Sequence, residues 1–107
     1  MKRYGQIIRL RPEHEAEYRK AHAAVWPEVL KTIHDCNIRN YTIFLRNGVL
    51  FAYYEYIGED HAADMAKMAE CPKTQEWWKW MDPMQEPFED RESGAWWAGL
   101  EEVFHTD

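Results

Sequence analysis

Two segments rich in apolar and aromatic residues lie on either side of a short polar turn near the middle of the chain. Residues 37–45 and 49–57 contain most of their Ile, Val, Leu, Phe and Tyr in close succession, and the turn between them ends in Asn47-Gly48. Asn-Gly adopts at low cost the positive φ angles that a tight hairpin turn requires. The pattern therefore predicts a β-hairpin, and the fold has to contain these two strands as antiparallel neighbours.

Helical and extended segments alternate on both sides of this hairpin. A strand is predicted over residues 4–10, and apolar residues then recur every three or four positions from Glu13 onward, as in an amphipathic helix. Pro27 lies inside that helix, so we expect a kink or a break near Trp26. After the hairpin we expect helices over 62–69 and 74–81, a polar loop over 82–94 and a last strand over 100–105.

The order of these elements predicts the fold class. Strand, helix, strand, strand, helix, strand (βαββαβ) is the order of a ferredoxin-like α+β fold, in which helices cover one face of an antiparallel sheet. The other face would stay open to water. Pairing two such sheets face to face in a dimer is one physical way to hide it.

Size and composition are those of an ordinary globular protein. With 107 residues, 46% of them hydrophobic and 30% charged, we expect a single domain over residues 1–107. The formal charge of −6, without a basic run, argues against nucleic acid and anionic membranes as partners. Cys36 and Cys71 are far apart in sequence, and no signal core or spanning segment is evident. We therefore expect reduced thiols in a soluble cytoplasmic protein.

Three aromatic side chains with polar atoms recur at spacings of four residues. Tyr18, His22 and Trp26 would fall within an arc of about 80° on one continuous helical face. A histidine between two aromatic rings suggests a small-molecule pocket, and its ordinary pKa lets it exchange protons near neutral pH. The same stripe is also typical of a helix that packs on a core, so these residues alone leave both interpretations open.

A second aromatic cluster follows far along the chain. Trp77 and Trp78 are adjacent, so on a helix they point about 100° apart and cannot both face one core. We expect one of them to face a cavity, where an indole would suit the C–H surface of a sugar. In the hairpin, the two-residue period places Tyr41 on the face of Ile43 and Leu45, from which it could look into a core or a pocket.

Other catalytic signals are weak or missing. His14 and His22 lack a nearby carboxylate at ligand spacing, so we predict no metal site. There is no phosphate-binding glycine loop, and no Ser or Cys lies in a nucleophile motif beside a histidine, which makes covalent catalysis a poor hypothesis.

Taken together, these motifs resemble the L-rhamnose mutarotase family over nearly the whole chain. The resemblance implies a small homodimer of the dimeric α/β barrel type that interconverts the α and β anomers of L-rhamnose without a cofactor. It implies that His22 is the catalytic proton donor and that Tyr18, Tyr41, Trp77 and Trp78 contact the sugar. The residues that carry it are Tyr18, His22, Trp26-Pro27-Glu28, Asn40-Tyr41, Trp77-Trp78-Lys79 and Glu101-Glu102-Val103-Phe104.

The segment from Asp82 through Trp97 fits the rhamnose-specific pattern less well. Asp82, Gln85 and the pair Trp96-Trp97 could line the pocket or a dimer interface, so L-fucose or another deoxysugar stays open as the substrate. The mechanism hypothesis has protonated His22 give a proton to the ring oxygen while an unidentified base removes the anomeric proton. Two other hypotheses for the function are a monooxygenase of the same fold and a non-catalytic ligand-binding module.

Overall fold

The computed structural model describes residues 1–107 as one antiparallel sheet with four α-helices. Two turns of 3₁₀ helix, Pro12–His14 and Asp82–Met84, precede the first helix and follow the last one. No helix is long and apolar enough to cross a membrane. The elements are β1 (Lys2–Leu10), α1 (Glu15–His22), α2 (Pro27–Asp35), β2 (Ile38–Arg46), β3 (Val49–Tyr56), α3 (His61–Ala69), α4 (Pro72–Met81), β4 (Gln85–Glu86) and β5 (Ala98–Leu100).

The sheet confirms the predicted ferredoxin-like α+β class. Its strands lie in the order β2, β3, β1, β4, and β5 pairs with β1 on the same side as β4. All four pairings are antiparallel. The long central pairing joins β1 to β3, with Ile8 opposite Leu50. The first and last strands of the chain therefore meet, although they are distant in sequence.

The hairpin is present, and its turn has the expected conformation. Asn47 and Gly48 have φ angles of 50° and 72°. A feature not predicted is an irregularity in register between Arg39 and Thr42, where Asn40 takes a φ of 52°. Such a bulge bends a strand and redirects its side chains, and Tyr41 lies at this point.

The break before Pro27 is also confirmed, and it corrects the prediction of one continuous helical stripe. Helix α1 ends at His22, and α2 begins at Pro27 with Trp26 as its N-cap. Pro27 has no backbone N–H to donate, which suits the first position of a helix but not its interior. Tyr18 and His22 thus share a helix, whereas Trp26 reaches the same region from the following turn.

The main core lies between the helices and the inner face of the sheet. Ile8, Leu10 and Leu50 point inward from β1 and β3, and Trp77 and Met81 of α4 pack against them in one cluster. Helix α3 begins at His61, one residue before the expected start, and the Asp60 side chain accepts a hydrogen bond from the Ala63 backbone N–H at 3.0 Å. No helix covers the outer face, where Phe51 lies between Ile7 and Phe44 in the cross-strand register.

The C-terminal predictions need correction. The expected loop over 82–94 contains β4, and the last strand is Ala98–Leu100 and not residues 100–105. Beyond Leu100 the chain forms no ladder with β1 and is linked to it by a side-chain ion pair, Arg3 to Glu102 at 3.0 Å. Apolar alternation indicated a strand there, but a strand also needs a neighbour for its backbone groups, which this chain alone does not provide.

Candidate active site

His22 is held by its own helix in a defined orientation. Its ring stacks on that of Tyr18 one turn earlier, with ring centroids 4.1 Å apart and an interplanar angle of 26°. The His22 Nδ1 atom lies 3.0 Å from the backbone carbonyl oxygen of Tyr18. This carbonyl lies one turn earlier in α1, and its oxygen has two lone pairs, so it can accept from the imidazole as well as from the helix backbone.

This contact fixes the tautomer of the neutral imidazole. A carbonyl oxygen can only accept, so the proton must be on the His22 Nδ1 atom. The Nε2 atom then carries a lone pair, and it has no hydrogen-bond partner in the chain. Burial lowers the pKa of His22 below its ordinary value of 6.5, against a smaller raising effect of the hydrogen bond to Tyr18. At neutral pH the side chain is therefore mostly an uncharged base.

Two indoles form the aromatic wall beside His22. Trp77 approaches it edge to face from α4, with centroids 5.3 Å apart, and Trp26 contacts Trp77 in the same manner at 5.1 Å. Trp77 is buried, whereas Trp78 is 38% exposed and points away, as the 100° step between neighbours requires. The structure therefore brings Trp77 to His22 and leaves Trp78 outside this cluster.

Tyr41 faces the same region from the sheet. Its ring is tilted against that of Tyr54, 5.6 Å away. Although the residue is 37% exposed as a whole, burial of its hydroxyl end strongly raises its pKa, and the nearby Tyr18 phenol adds to the rise. A hydrogen bond with Gln6 acts in the opposite direction. The Tyr41 phenol of the sheet thus comes near the Tyr18 phenol of α1, although the two belong to different layers of the fold.

Sequence reasoning did not find the polar contacts that hold Tyr18. The Gln85 side-chain amide lies 3.3 Å from the Tyr18 hydroxyl, and its oxygen accepts from the indole N–H of Trp96 at 2.8 Å. Both Tyr18 and Gln85 are 5% exposed. Trp97 instead packs against the main core. The only signal in the sequence was the position of these residues in a segment that fits the family pattern poorly.

The cluster suits a small polyhydroxylated ligand better than a metal ion or an extended polymer. It combines an uncharged imidazole base, two protonated phenols and an indole wall, and so offers a proton acceptor, hydrogen-bond donors and an apolar surface. Burial raises the pKa of Tyr18 to about 12, so this phenol keeps its proton at neutral pH. His14, predicted not to bind metal, lies apart from the cluster and faces Glu17 at 3.7 Å.

Comparison with known proteins shows the family to which this chain belongs. A model of the L-rhamnose mutarotase family matches residues 3–106. L-rhamnose mutarotases from Lactiplantibacillus plantarum and Oceanobacillus iheyensis are each 37% identical over the full length of both chains. A crystal structure of an L-rhamnose mutarotase from Formosa agariphila superposes over all of both chains with a TM-score of 0.79 at 23% identity, which supports the fold. The match over nearly all of its length shows that this chain belongs to the L-rhamnose mutarotase family.

Proposed function

We propose that this protein is an L-rhamnose mutarotase, a cofactor-independent isomerase that interconverts the α and β anomers of L-rhamnose. The observation that carries the proposal is the orientation of His22. Its Nδ1 atom is bonded to the Tyr18 carbonyl, and its Nε2 atom has no partner in a ring that stacks on Tyr18 and meets Trp77 edge to face. Family membership supports L-rhamnose as the substrate, and this geometry supports proton transfer by His22 as the mechanism.

Anomer exchange requires that one proton move between two oxygens bonded to the same carbon. In our mechanism, neutral His22 accepts the proton of the anomeric hydroxyl at Nε2 while the bond from C1 to the ring oxygen breaks. The imidazolium then gives that proton to the ring oxygen, which leaves the open aldehyde and a neutral histidine. Rotation about the C1–C2 bond and reversal of both transfers give the other anomer. A positioned acid or base of this kind contributes about 10²- to 10⁴-fold to the rate.

This order of events revises the hypothesis from the sequence. A histidine whose pKa is lowered by burial is seldom protonated at neutral pH, so it is poorly placed to begin as an acid. It acts first as a base and becomes the proton donor only after it has taken the anomeric proton. One residue thereby fills the role of the unidentified base and that of the donor.

The remaining site residues bind the sugar in this proposal. Tyr18 and Tyr41 would supply hydrogen bonds to its oxygens, and Trp77 would supply an apolar wall. Trp78 points away from His22, so we do not propose that it contacts the same sugar molecule from this chain. We assign no metal and no cofactor to these steps, since proton transfer alone balances them.

The test is exchange between the anomeric protons of L-rhamnose, measured by NMR saturation transfer. We expect the wild-type protein to accelerate exchange and His22→Ala to lose most of the acceleration while it still binds the sugar. L-fucose, measured in parallel, ranks the two deoxysugars. Wild-type protein that binds L-rhamnose without accelerating exchange would contradict the proposal and favour a non-catalytic module.

We also propose that the protein is a homodimer, joined through the outer face of the sheet. Phe44 is 63% exposed there, next to Phe51. The same face has a groove of about 700 Å³ between the start of β1 and the C-terminal tail, and Phe104 lines it. An apolar surface that spans neighbouring strands commonly marks an interface. Both cysteines are free, which supports a reducing compartment such as the cytoplasm.

Analytical ultracentrifugation tests the dimer. Phe44→Asp places a charge in the middle of the proposed interface, so we expect a monomer at concentrations at which the wild type sediments as a dimer. Leu30→Asp is the matched control, since Leu30 is 52% exposed on a helix away from this face. A monomeric wild type, or equal dissociation by both variants, would count against the interface.

A further inference from the structure

We propose that Trp96 and Gln85 are positioning residues that fix the Tyr18 hydroxyl as a hydrogen-bond donor toward the sugar. This inference rests on the proposed mutarotase function and extends it to the loop between β4 and β5. Trp96 and Gln85 do not belong to the set of residues that the family resemblance assigned to the site.

The first link fixes the amide of Gln85. The indole Nε1 of Trp96 lies 2.8 Å from the Gln85 Oε1 atom. An indole N–H can only donate, so it must face the oxygen of the amide and not its nitrogen. The amide therefore cannot turn over without losing this bond, and its NH₂ group is held on the opposite side.

The second link fixes Tyr18. The Gln85 Nε2 atom lies 3.3 Å from the Tyr18 hydroxyl oxygen. An amide NH₂ group can only donate, so the phenol oxygen must accept this hydrogen bond. A hydroxyl group that accepts one hydrogen bond still has its own hydrogen, and no other group in the chain accepts it. The hydrogen of Tyr18 is therefore free for a ligand. Because Gln85 is buried, water competes little with this arrangement.

The loop that provides Trp96 is itself held in place. Arg91 donates to the backbone carbonyl oxygens of Phe88 and Ala95, at 2.9 and 2.7 Å. Glu92 accepts from the backbone N–H of Gly99 at 3.0 Å, where the chain enters β5. These bonds close the loop on both sides of Trp96, so the indole meets Gln85 from a fixed position.

A preset donor matters for anomer exchange because negative charge develops on sugar oxygens as protons leave and bonds break. A donor already oriented in the free protein needs no reorganisation when this charge appears. A phenol that could turn its lone pairs to the sugar would offer no such stabilisation. The loop between β4 and β5 thus acts on the reaction through Tyr18, without touching the reacting atoms.

Gln85→Glu is the sharpest test, because the introduced carboxylate has nearly the same shape and can only accept. It would accept from Trp96 and also from Tyr18, whose hydrogen would then be lost to the sugar. We expect kcat/KM for anomer exchange to fall roughly 10- to 10²-fold, as for the loss of one hydrogen bond to a charged group. Tyr18→Phe should fall by a similar factor, and the double variant no further than either single variant.

The pH dependence distinguishes this role from a merely structural one. When the introduced carboxyl group becomes protonated at low pH, it can donate to Tyr18 again. We therefore expect the ratio of Gln85→Glu to wild-type exchange to rise as the pH falls, after each rate is divided by the fraction of unprotonated His22 measured by NMR in that variant, because the introduced charge also raises the pKa of His22. A ratio that does not change with pH, or losses that multiply in the double variant, would overturn the inference.

Trp96→Phe keeps the test decisive if Gln85→Glu does not fold. It removes only the N–H that orients the amide, and we expect a loss of roughly threefold to tenfold that disappears in the Tyr18→Phe background. Trp80→Phe is the matched control, because the Trp80 indole also donates at 2.8 Å, but to Glu17 on the outer surface. Active wild-type protein with unchanged Trp96→Phe and Gln85→Glu variants would reject the positioning role alone, whereas inactive wild-type protein would reject the mutarotase proposal itself.

Discussion

His22 and His61 each stack on a tyrosine ring, and each uses one ring nitrogen in a hydrogen bond. The His22 ring lies 4.1 Å from that of Tyr18, and the His61 ring lies 4.3 Å from that of Tyr4. Burial lowers the pKa of both imidazoles. They differ in the bonded partner, which is a backbone carbonyl for His22 at 3.0 Å and the Tyr54 hydroxyl for His61 at 2.9 Å.

The difference lies in what the partner allows. A carbonyl only accepts, so it fixes the proton of His22 and leaves a bare nitrogen. A hydroxyl both donates and accepts, so the contact with Tyr54 is compatible with either neutral tautomer of His61. Burial is the largest cause of the lowered pKa of both histidines and favours the uncharged form of each. The chemistry of the partner makes only His22 a preset base.

Replacing each histidine with glutamine should reveal the largest difference between His22 and His61, which is their effect on the rate of catalysis. Glutamine keeps a polar side chain but cannot take up a proton near neutral pH. We expect the catalysed rate of L-rhamnose anomer exchange to fall about 10²- to 10⁴-fold in His22→Gln. In His61→Gln the same rate should stay within about twofold of the wild-type value. Saturation transfer at saturating sugar measures both. Equal losses in the two variants would end the distinction.

The pH dependence of the rate should follow His22 and not His61. The unprotonated imidazole is the reactive form, so the rate is constant above its pKa and falls as the pH falls through that value. Because burial lowers this pKa, the midpoint of the fall should lie below pH 6.5. We expect the same profile in His61→Gln. A profile centred above 6.5, or one that shifts when His61 is replaced, would contradict the assignment.

Stability, in contrast, should depend on both histidines. The pKa of each histidine is lower in the folded chain than its value of 6.5 in the unfolded chain. Between its folded and unfolded pKa values, each histidine therefore binds more protons in the unfolded chain than in the folded one. The free energy of unfolding should therefore decrease as the pH falls through this window, and each glutamine variant should lose part of that decrease. Urea unfolding at several pH values provides the measurement. A pH dependence that neither substitution changes would exclude both histidines as its source.

The smallest effect is expected from Tyr54→Phe. It removes the hydrogen bond to His61 but keeps the ring that packs against Tyr41. We expect a loss of about 1 kcal/mol in the free energy of unfolding, as for one partly buried hydrogen bond, with little change in exchange rate. A large loss of activity in a stable Tyr54→Phe variant would instead connect His61 to the chemistry.

Local patterns in the sequence predicted much of this architecture. Asn47-Gly48 identified the hairpin because the turn depends on the two residues themselves, and Pro27 identified the helix break for the same reason. The spacing of Tyr18 and His22 predicted that the two side chains share a helical face, because four residues make about one helical turn, and their rings do stack. In each case, residues close in sequence determine the structure.

The parts that were missed depend on contacts between distant segments. Gln85 meets Tyr18 across 67 residues, and no local pattern indicates which side chain lies opposite a given phenol. The bulge near Asn40 and the position of β5 depend similarly on neighbouring strands. The contacts of His61 with Tyr4 and Tyr54 were not predicted either. Both tyrosines lie on strands, and the sequence around His61 does not indicate which strand residues it will meet.

The tautomer of His22 can be observed directly by long-range ¹H–¹⁵N correlation NMR of the free protein at pH 7.5. We predict a protonated, pyrrole-type Nδ1 and an unprotonated, pyridine-type Nε2 for His22. Titration with L-rhamnose should shift the Nε2 signal more than any His61 nitrogen. A protonated Nε2 in the neutral ring would contradict the account, because His22 would then have no free lone pair for the anomeric proton.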